Sequence, residues 1–359
     1  MALLKDLEAL IKAHGPSGRE DEVRDVIAEM LKPLVDEVYI DNLGNLIGVR
    51  HGSGELKVMV EAHMDEVGIV VRYVDDDGWI WFDRVGGIHE RSLLGQRMTI
   101  LTDLGPVKGV VGLKGRHLLT EEEARRAVSV KEMWIDIGAR SRAEAEDMGV
   151  KIGDLGTFEK RIHRLKDLVC APSIDDRSGC LVLLEALRRL GGLDASIYAV
   201  FAVMEEVGCR GALTAAYGID PDVAIVVDTT YGEDPATDVR ETPIRIGGGP
   251  GVRVLEASWR WAPLGHTVPR RLLNLIVDAA EEGGIPYQRE VVTFSATDAS
   301  TLHLARAGIP TGEILVARRY SHSPVEVASL SDIEDAARLV AASVERLDAE
   351  WRPGHRRIK

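Results

Sequence analysis

The sequence predicts an α/β fold in which helices cover both faces of a mixed, mostly parallel sheet, with a small β-barrel-like domain inserted. Three observations predict it. Strand-like and helix-like segments alternate after about residue 165, as in parallel sheets connected by helices. Residues 67–162 instead carry short Val/Ile/Trp-rich runs between turn signals, which is typical of a barrel or sandwich. At 359 residues, the chain also exceeds the usual size of one core.

The main domain is predicted to comprise residues 1–66 and 163–359, and the inserted β-rich domain residues 67–162. Helical spacing of apolar residues, turn residues and β-branched runs divide the first part into elements. Two amphipathic helices, a hairpin and a strand are predicted over residues 3–13, 20–32, 38–50 and 57–62.

The second part of the main domain alternates between the two periodicities. Helices are predicted over residues 176–190, 210–217, 267–283 and 298–307, and strands over residues 197–204, 223–227 and 312–316. The final helix is predicted to begin at Ser331, because Glu334 follows three residues later and completes a capping box.

Composition excludes several classes of protein. The net charge of -14 argues against a nucleic-acid partner, which requires a basic surface. No apolar run reaches the roughly 20 residues of a membrane span. An odd number of cysteines, Cys170, Cys180 and Cys209, favours buried reduced thiols over a disulfide framework. We therefore expect a cytoplasmic protein.

Side chains of the types that bind metal ions stand at the ends of predicted strands or in adjacent turns. Three of them follow the runs VMVEA, IYAVFAVM and VAIVV, and open α/β sheets place their ligand crevices outside the carboxyl ends of strands. The candidates are His63, Asp175, Glu206, Asp228 and His322.

Two metal ions about 3.5–4 Å apart need a shared carboxylate and one or two further N or O ligands each. Asp175, in the turn IDDRSG, is the predicted bridge. His63 and Asp228 would complete the ligand set of one ion, and Glu206 and His322 would complete that of the other. Ligands without thiolate favour zinc, with cobalt or manganese as substitutes.

Two further carboxylates have predicted roles in catalysis. Glu205 adjoins Glu206 at a strand end where the chain can turn, so both can face the cleft. Glu205 would then take a proton from the water that the two metal ions activate. Asp65 can accept the second imidazole N–H of His63 and orient the ring.

Each residue also has a non-functional interpretation. His63-x-Asp65 alone is a weak signal, Glu-Glu pairs are common on solvated helices, and Asp175 could cap a helix. Asp228 could begin a polar turn. Five such coincidences at strand ends are much rarer than one, which favours the metal site. Among the other histidines, only His266 in PLGHTVP is considered able to reach the cleft.

Taken together, five motifs resemble those of the TET-type dizinc aminopeptidases. They are AHMDEVG (62–68), IDDRSG (174–179), EEVGCRGA (205–212), VVDTT (226–230) and RYSHSPVE (319–326). MWIDIGARSRAEAEDMGVKIGD (133–154) and SATDAS (295–300) are also similar, so the resemblance covers nearly the whole chain.

The resemblance implies a dizinc exopeptidase domain interrupted by a dimerisation domain, and a tetrahedral homododecamer built from dimers. It implies the same two ligand sets, with Glu205 as general base and Asp65 orienting His63. Two departures are SATDAS, where relatives usually have glycine before Thr297, and the consecutive Arg318 and Arg319. The roles of these arginines stay open.

We therefore expect a metallo-aminopeptidase that removes N-terminal residues from short peptides, with Asp298 as a candidate near the substrate amine. A dizinc carboxypeptidase or deacylase is the nearest alternative. A glycosidase would leave both histidines unexplained. A non-catalytic assembly protein would not need an intact ligand set with Glu205 beside it.

Overall fold

Helices and strands alternate along much of the chain, as the sequence predicts. The computed structural model describes residues 2–258 and 264–351. Its helices are α1 (Ala2–Lys12), α2 (Asp21–Leu31), α3 (Glu121–Arg125), α4 (Arg142–Asp147), α5 (Ile174–Arg189), α6 (Gly211–Ile219), α7 (Arg270–Glu282), α8 (Ala299–Leu302) and α9 (Leu330–Glu350). Its strands are β1 (Glu37–Ile40), β2 (Leu46–Arg50), β3 (Lys57–His63), β4 (Gly68–Val74), β5 (Ile80–Val85), β6 (Arg97–Thr102), β7 (Gly105–Val111), β8 (Trp134–Asp136), β9 (Leu155–Phe158), β10 (His163–Leu165), β11 (Leu168–Ala171), β12 (Ser196–Ala202), β13 (Val223–Tyr231), β14 (Gly251–Ser258), β15 (Leu264–Thr267), β16 (Gln288–Val292), β17 (Phe294–Ser295), β18 (Thr311–Arg319) and β19 (Glu326–Ser329).

Within the described residues, a 13-stranded mixed sheet forms the main domain, in the order β1-β2-β12-β3-β13-β18-β19-β11-β10, with β14 to β17 joined beside β18. The four central strands β12, β3, β13 and β18 are mutually parallel. Antiparallel strands extend both margins. A further parallel pair, β14 and β16, lies beside β18. The mixed α/β fold is confirmed.

Helices cover both faces of this sheet, as predicted. The central strands are mostly apolar on both sides, because helices cover both faces of a parallel sheet. All residues of β13 except Tyr231 are buried. One buried cluster joins the sheet to α5, α7 and α9. A smaller one joins the opposite face to α6 and α8.

The inserted segment folds as a closed six-stranded barrel in the order β4-β5-β8-β7-β6-β9. All neighbouring strands in it are antiparallel, and closure removes free strand edges. Its interior is filled by its own apolar side chains, among them Ile69, Phe82, Ile100, Met133 and Phe158. The predicted barrel-like insertion is confirmed.

The start of the final helix differs from the prediction. Helix α9 begins at Leu330, and Ser329 is its N-cap, accepting the Ser331 N–H at 3.2 Å. The Glu334 carboxylate does not reach back to cap the helix; it pairs with Arg189 on α5. Packing of α9 against α5 therefore takes precedence over the local capping box.

Cys170, Cys180 and Cys209 are all free and buried, as predicted. Among the helices of the described residues, none is both long and apolar enough to cross a bilayer.

Candidate metal centre

Neighbouring parallel strands bring predicted site residues to one edge of the sheet. His63 is the last residue of β3, which lies between β12 and β13. Glu205 and Glu206 follow closely after the end of β12. Asp228 lies within β13, which continues to Tyr231, whereas the sequence prediction ended this strand at residue 227. Pairing with β18 carries the strand further, so Asp228 sits on the sheet rather than in a turn.

The first half of the site forms around His63, with Asp175 reaching it from the start of α5. His63 Nε2 lies 3.3 Å from Asp175 Oδ1 and 3.8 Å from Asp228 Oδ1. One ligand atom from each of the three lies within 4.8 Å of the others. All three residues are buried.

The second half uses the other oxygen of the same aspartate. His322, in the loop after β18, has its Nε2 3.2 Å from Asp175 Oδ2 and 3.4 Å from Glu206 Oε1. These three residues also offer ligand atoms within 4.8 Å of one another. Asp175 therefore presents one oxygen to each histidine, which is the arrangement that a bridging carboxylate needs.

The donor set fits a pair of divalent ions. Asp175 Oδ1 and Glu206 Oε1 are buried and accept no hydrogen bond from the described parts of the chain. Burying such oxygens is costly unless a cation neutralises them. Imidazole nitrogens and carboxylate oxygens without thiolate suit zinc and similar ions. We conclude that these residues fit two metal ions that share Asp175.

The electrostatics of the site favour bound cations. Burial raises the pKa of Glu206 to about 7 and that of Asp228 to about 6, and the negative charge of Asp175 adds to both shifts. Burial also acts to raise the pKa of Asp175, but Arg318 and His322 together hold it well below its usual range. A divalent cation bound beside these carboxylates would favour their charged forms and so lower both raised pKa values.

Asp65 lies beside His63 and contacts the backbone of the glutamate pair. Its Oδ1 lies 3.3 Å from His63 Nδ1 and accepts the Glu205 N–H at 2.9 Å. Its Oδ2 accepts the Glu206 N–H at 3.2 Å and the Ser17 hydroxyl at 2.6 Å. One carboxylate thereby accepts both backbone N–H groups of the glutamate pair and lies next to the His63 ring. No pattern in the sequence indicates these backbone contacts.

A tight turn follows β12 at the two glutamates, where Glu206 lies beside Asp175 and His322, and Glu205 beside Cys209 and Asp298. Met204 adopts a φ of 56°, which breaks the alternation of β12 just before the pair. The N–H groups of Gly208 and Cys209 then donate to the Glu205 carbonyl, both at 2.8 Å. Burial raises the pKa of the Glu205 carboxyl well above its usual value, and Glu206 adds to this shift.

Two residues that hold the site together were not predicted. Glu326 Oε2 accepts the Asp175 N–H at 3.0 Å, and its Oε1 accepts the His322 N–H at 2.7 Å. It therefore ties the bridging residue to a histidine. Arg318, whose role the sequence left open, donates from Nη2 to Asp175 Oδ2. For Glu326, the available signal was its place four residues after His322.

The other candidate near the substrate, Asp298, is 1% exposed and lies against another carboxyl group. Its neighbour Glu61 is on β3, two residues before His63. Burial raises the pKa of both Asp298 and Glu61 well above their usual values, and each group affects the other. The structure thus places Asp298 beside the site, and its contact with a substrate amine stays a prediction.

His266 is buried away from the two ligand sets. Its Nδ1 lies 3.2 Å from Glu313 Oε1, and its ring centre is 4.9 Å from that of His303. Glu313 also contacts Arg253, at 3.3 Å, in a buried network of charged side chains. His266 therefore belongs to this network.

Comparisons with known proteins agree on one family. The family model described as M42 glutamyl aminopeptidase matches residues 44–339. Lysyl aminopeptidase of Pyrococcus furiosus is 35% identical over 345 residues, covering 95% of this chain and 96% of that protein.

Solved structures give the same result. An aminopeptidase from the archaeon Desulfurococcus kamchatkensis superposes with a TM-score of 0.91 at 39% identity, covering 96% of this chain and 94% of that one. The TET1 peptidase of Pyrococcus horikoshii, described as able to assemble into a tetrahedron or a large octahedral shell, has a TM-score of 0.83 at 32% identity. That match covers 95% of this chain and 98% of the other.

Proposed function

The chain belongs to the M42 glutamyl aminopeptidase family and is an aminopeptidase, and from this premise we propose which residues carry the reaction. His63, Asp175 and Asp228 would hold one divalent ion, and Asp175, Glu206 and His322 the other. The observation that carries this proposal is the bridging aspartate. Asp175 Oδ1 lies 3.3 Å from His63 Nε2, and Oδ2 lies 3.2 Å from His322 Nε2.

We propose that Glu205 is the general base. Divalent ions bound by these residues would polarise the scissile carbonyl and lower the pKa of a bound water toward about 7. Glu205 would take a proton from the attacking water and deliver it to the nitrogen of the leaving amine. Its buried position, with a raised carboxyl pKa, suits a group that must both accept and release a proton.

We propose zinc as the ion at both positions, with cobalt or manganese able to replace it. The support is the chemistry of the donors: two imidazoles, which are intermediate between hard and soft ligands, and three carboxylates, which are hard ligands that zinc also accepts. The three cysteines lie outside both ligand sets. Metal analysis of protein purified without added metal would decide which ion is native.

An aminopeptidase with this site should distinguish free from blocked peptides. We expect short peptides with a free N-terminus to be hydrolysed, and the N-acetylated forms to react about 10⁴-fold more slowly, the scale typical when a polar site loses its partner. A chelator should abolish both activities. Release of amino acids and of acetate, both followed by chromatography, measures the rates. Faster cleavage of the acetylated peptides would instead support a deacylase.

We propose that the chain forms a tetrahedral homododecamer built from dimers, with the inserted barrel domain at the dimer contact. The support is the assembly of the similar TET1 peptidase into tetrahedral or octahedral shells. The barrel domain also exposes large apolar side chains, including Leu104 (76%), Leu113 (60%) and Leu118 (71%), which contacts between subunits would bury. Native mass spectrometry should find a mass of twelve chains, and a monomer would contradict this assembly.

A further inference from the structure

Two consecutive arginines end strand β18, and one of them reaches the metal centre. Arg319 Nη2 lies 2.8 Å from Glu233 Oε1, away from the ligands. Side chains of adjacent strand residues point to opposite faces. Arg318 accordingly points the other way, toward Asp175, and is 5% exposed.

The guanidinium of Arg318 is held in place by several neighbours. Its Nε donates to Thr229 Oγ1 at 2.7 Å, and its central carbon lies 5.4 Å from the centre of the Tyr231 ring. Its Nη2 donates to Asp175 Oδ2. Its Nη1 has no hydrogen-bond partner in residues 2–258 and 264–351. A positive charge is therefore fixed beside the bridging carboxylate.

Among the proposed ligand atoms, the hydrogen bond from Arg318 reaches one oxygen only, Asp175 Oδ2, which belongs to one half of the metal centre. The oxygen that accepts from Arg318, Asp175 Oδ2, is also the one 3.2 Å from His322 Nε2. The other oxygen, Oδ1, faces His63 at 3.3 Å and accepts no hydrogen bond from the described residues. The two halves share a ligand, but the two oxygens of that ligand are not equivalent.

We propose that Arg318 makes the affinities of the two metal positions unequal. It weakens the binding of the ion held by Asp175 Oδ2, Glu206 and His322. This inference rests on the ligand sets proposed above. An oxygen that already accepts a charge-assisted hydrogen bond donates less strongly to a cation. A fixed positive charge nearby also repels a divalent ion.

Arg318 is thus a positioning residue that acts through Asp175. Partners that hydrogen-bond to metal ligands commonly change metal affinity by about 10–100-fold. Neutral or anionic partners strengthen a ligand, whereas this one is a cation, so its effect is to weaken binding. The orientation of Asp175 does not depend on Arg318 alone, because Glu326 holds its backbone N–H at 3.0 Å.

The test is to measure metal dissociation in the full-length, cobalt-loaded protein. Samples are equilibrated with buffers of decreasing free Co²⁺, and both bound cobalt and its visible absorption are followed. We expect two separate dissociation steps in the unaltered protein. In Arg318→Gln, the more weakly bound ion should bind about 10–100-fold more tightly, so that its dissociation step approaches that of the other ion. Arg318→Lys keeps the charge and should retain two separate steps.

Two further variants complete the experiment. His322→Gln should remove the weaker step, which assigns it to the correct half of the site. Arg318→Met also removes the positive charge and the hydrogen bond to Asp175 Oδ2, but it keeps an apolar side chain beside Tyr231. It should make the ion at the weaker position bind more tightly, as Arg318→Gln does, and it serves as the test if Arg318→Gln does not fold.

The outcomes separate this inference from the proposed function. Two bound ions in every variant with unchanged steps, or weaker binding in Arg318→Gln, would overturn the role of Arg318 and leave the metal centre standing. Fewer than two ions in the unaltered protein would overturn both together. Merging of the steps in Arg318→Gln but not in Arg318→Lys supports the inference.

Discussion

Replacing Glu205 by glutamine is expected to lower kcat by about 10³-fold, within the range that a general base contributes. Glutamine has nearly the same shape but cannot accept the proton of the attacking water. Both metal positions should stay filled, because Glu205 belongs to neither ligand set. Steady-state kinetics on an aminoacyl-chromophore substrate, together with the metal content of the same sample, measures the two effects.

The neighbouring Glu206→Gln variant is the matched control. Glu206 Oε1 lies 3.4 Å from His322 Nε2, so this change should weaken metal binding as well as turnover. The two adjacent glutamates should therefore fail in different ways. If Glu205→Gln retains its turnover with both ions bound, another group must act as the base.

Asp175→Asn is expected to weaken the binding of both metal ions at once and to abolish activity. The carboxylate serves both halves of the site, and an amide offers one oxygen and no charge. We expect each ion to bind at least about 100-fold more weakly, beyond the upper end of the effects of residues that only contact a ligand. Metal content after gel filtration at low free metal measures the loss.

Variants of two other aspartates, Asp176 and Asp65, are compared with Asp175→Asn. Asp176→Asn changes the adjacent residue, which is in neither ligand set and whose Oδ1 accepts the Gly179 N–H at 2.8 Å. It should keep both ions. Asp65→Asn should be intermediate, with about 10–100-fold weaker metal binding, because Asp65 lies 3.3 Å from His63 Nδ1 and accepts the Glu205 and Glu206 N–H groups. Retention of either ion at normal affinity in Asp175→Asn would contradict the bridge.

Much of the architecture could be predicted because local patterns carry it. Alternating strand and helix segments indicated the main sheet, and short β-rich runs with turn signals indicated the barrel. The ends of two elements differ from the prediction because a tertiary contact competes with a local one. Glu334 pairs with Arg189 instead of capping α9, and β13 continues to Tyr231 because β18 pairs with it.

The site residues could be proposed for a similar reason. Strand ends in a parallel sheet gather at one edge, so the positions of His63, Glu206 and Asp228 after apolar runs already indicated a shared cleft. Asp175 and His322 followed from residue type, from adjacent turns and from the resemblance to a family. The structure brings these five together in two overlapping sets.

By itself, the sequence determined the fold class, the family and the residue types at the metal centre, because these depend on periodicity and short motifs. Only the tertiary structure decided how the site is supported: Glu326 joining Asp175 to His322, Asp65 holding the glutamate backbone, and Arg318 rather than Arg319 facing the bridge. Each of these contacts depends on where a side chain points and on partners distant in the chain. Neither is encoded in any local pattern of residues.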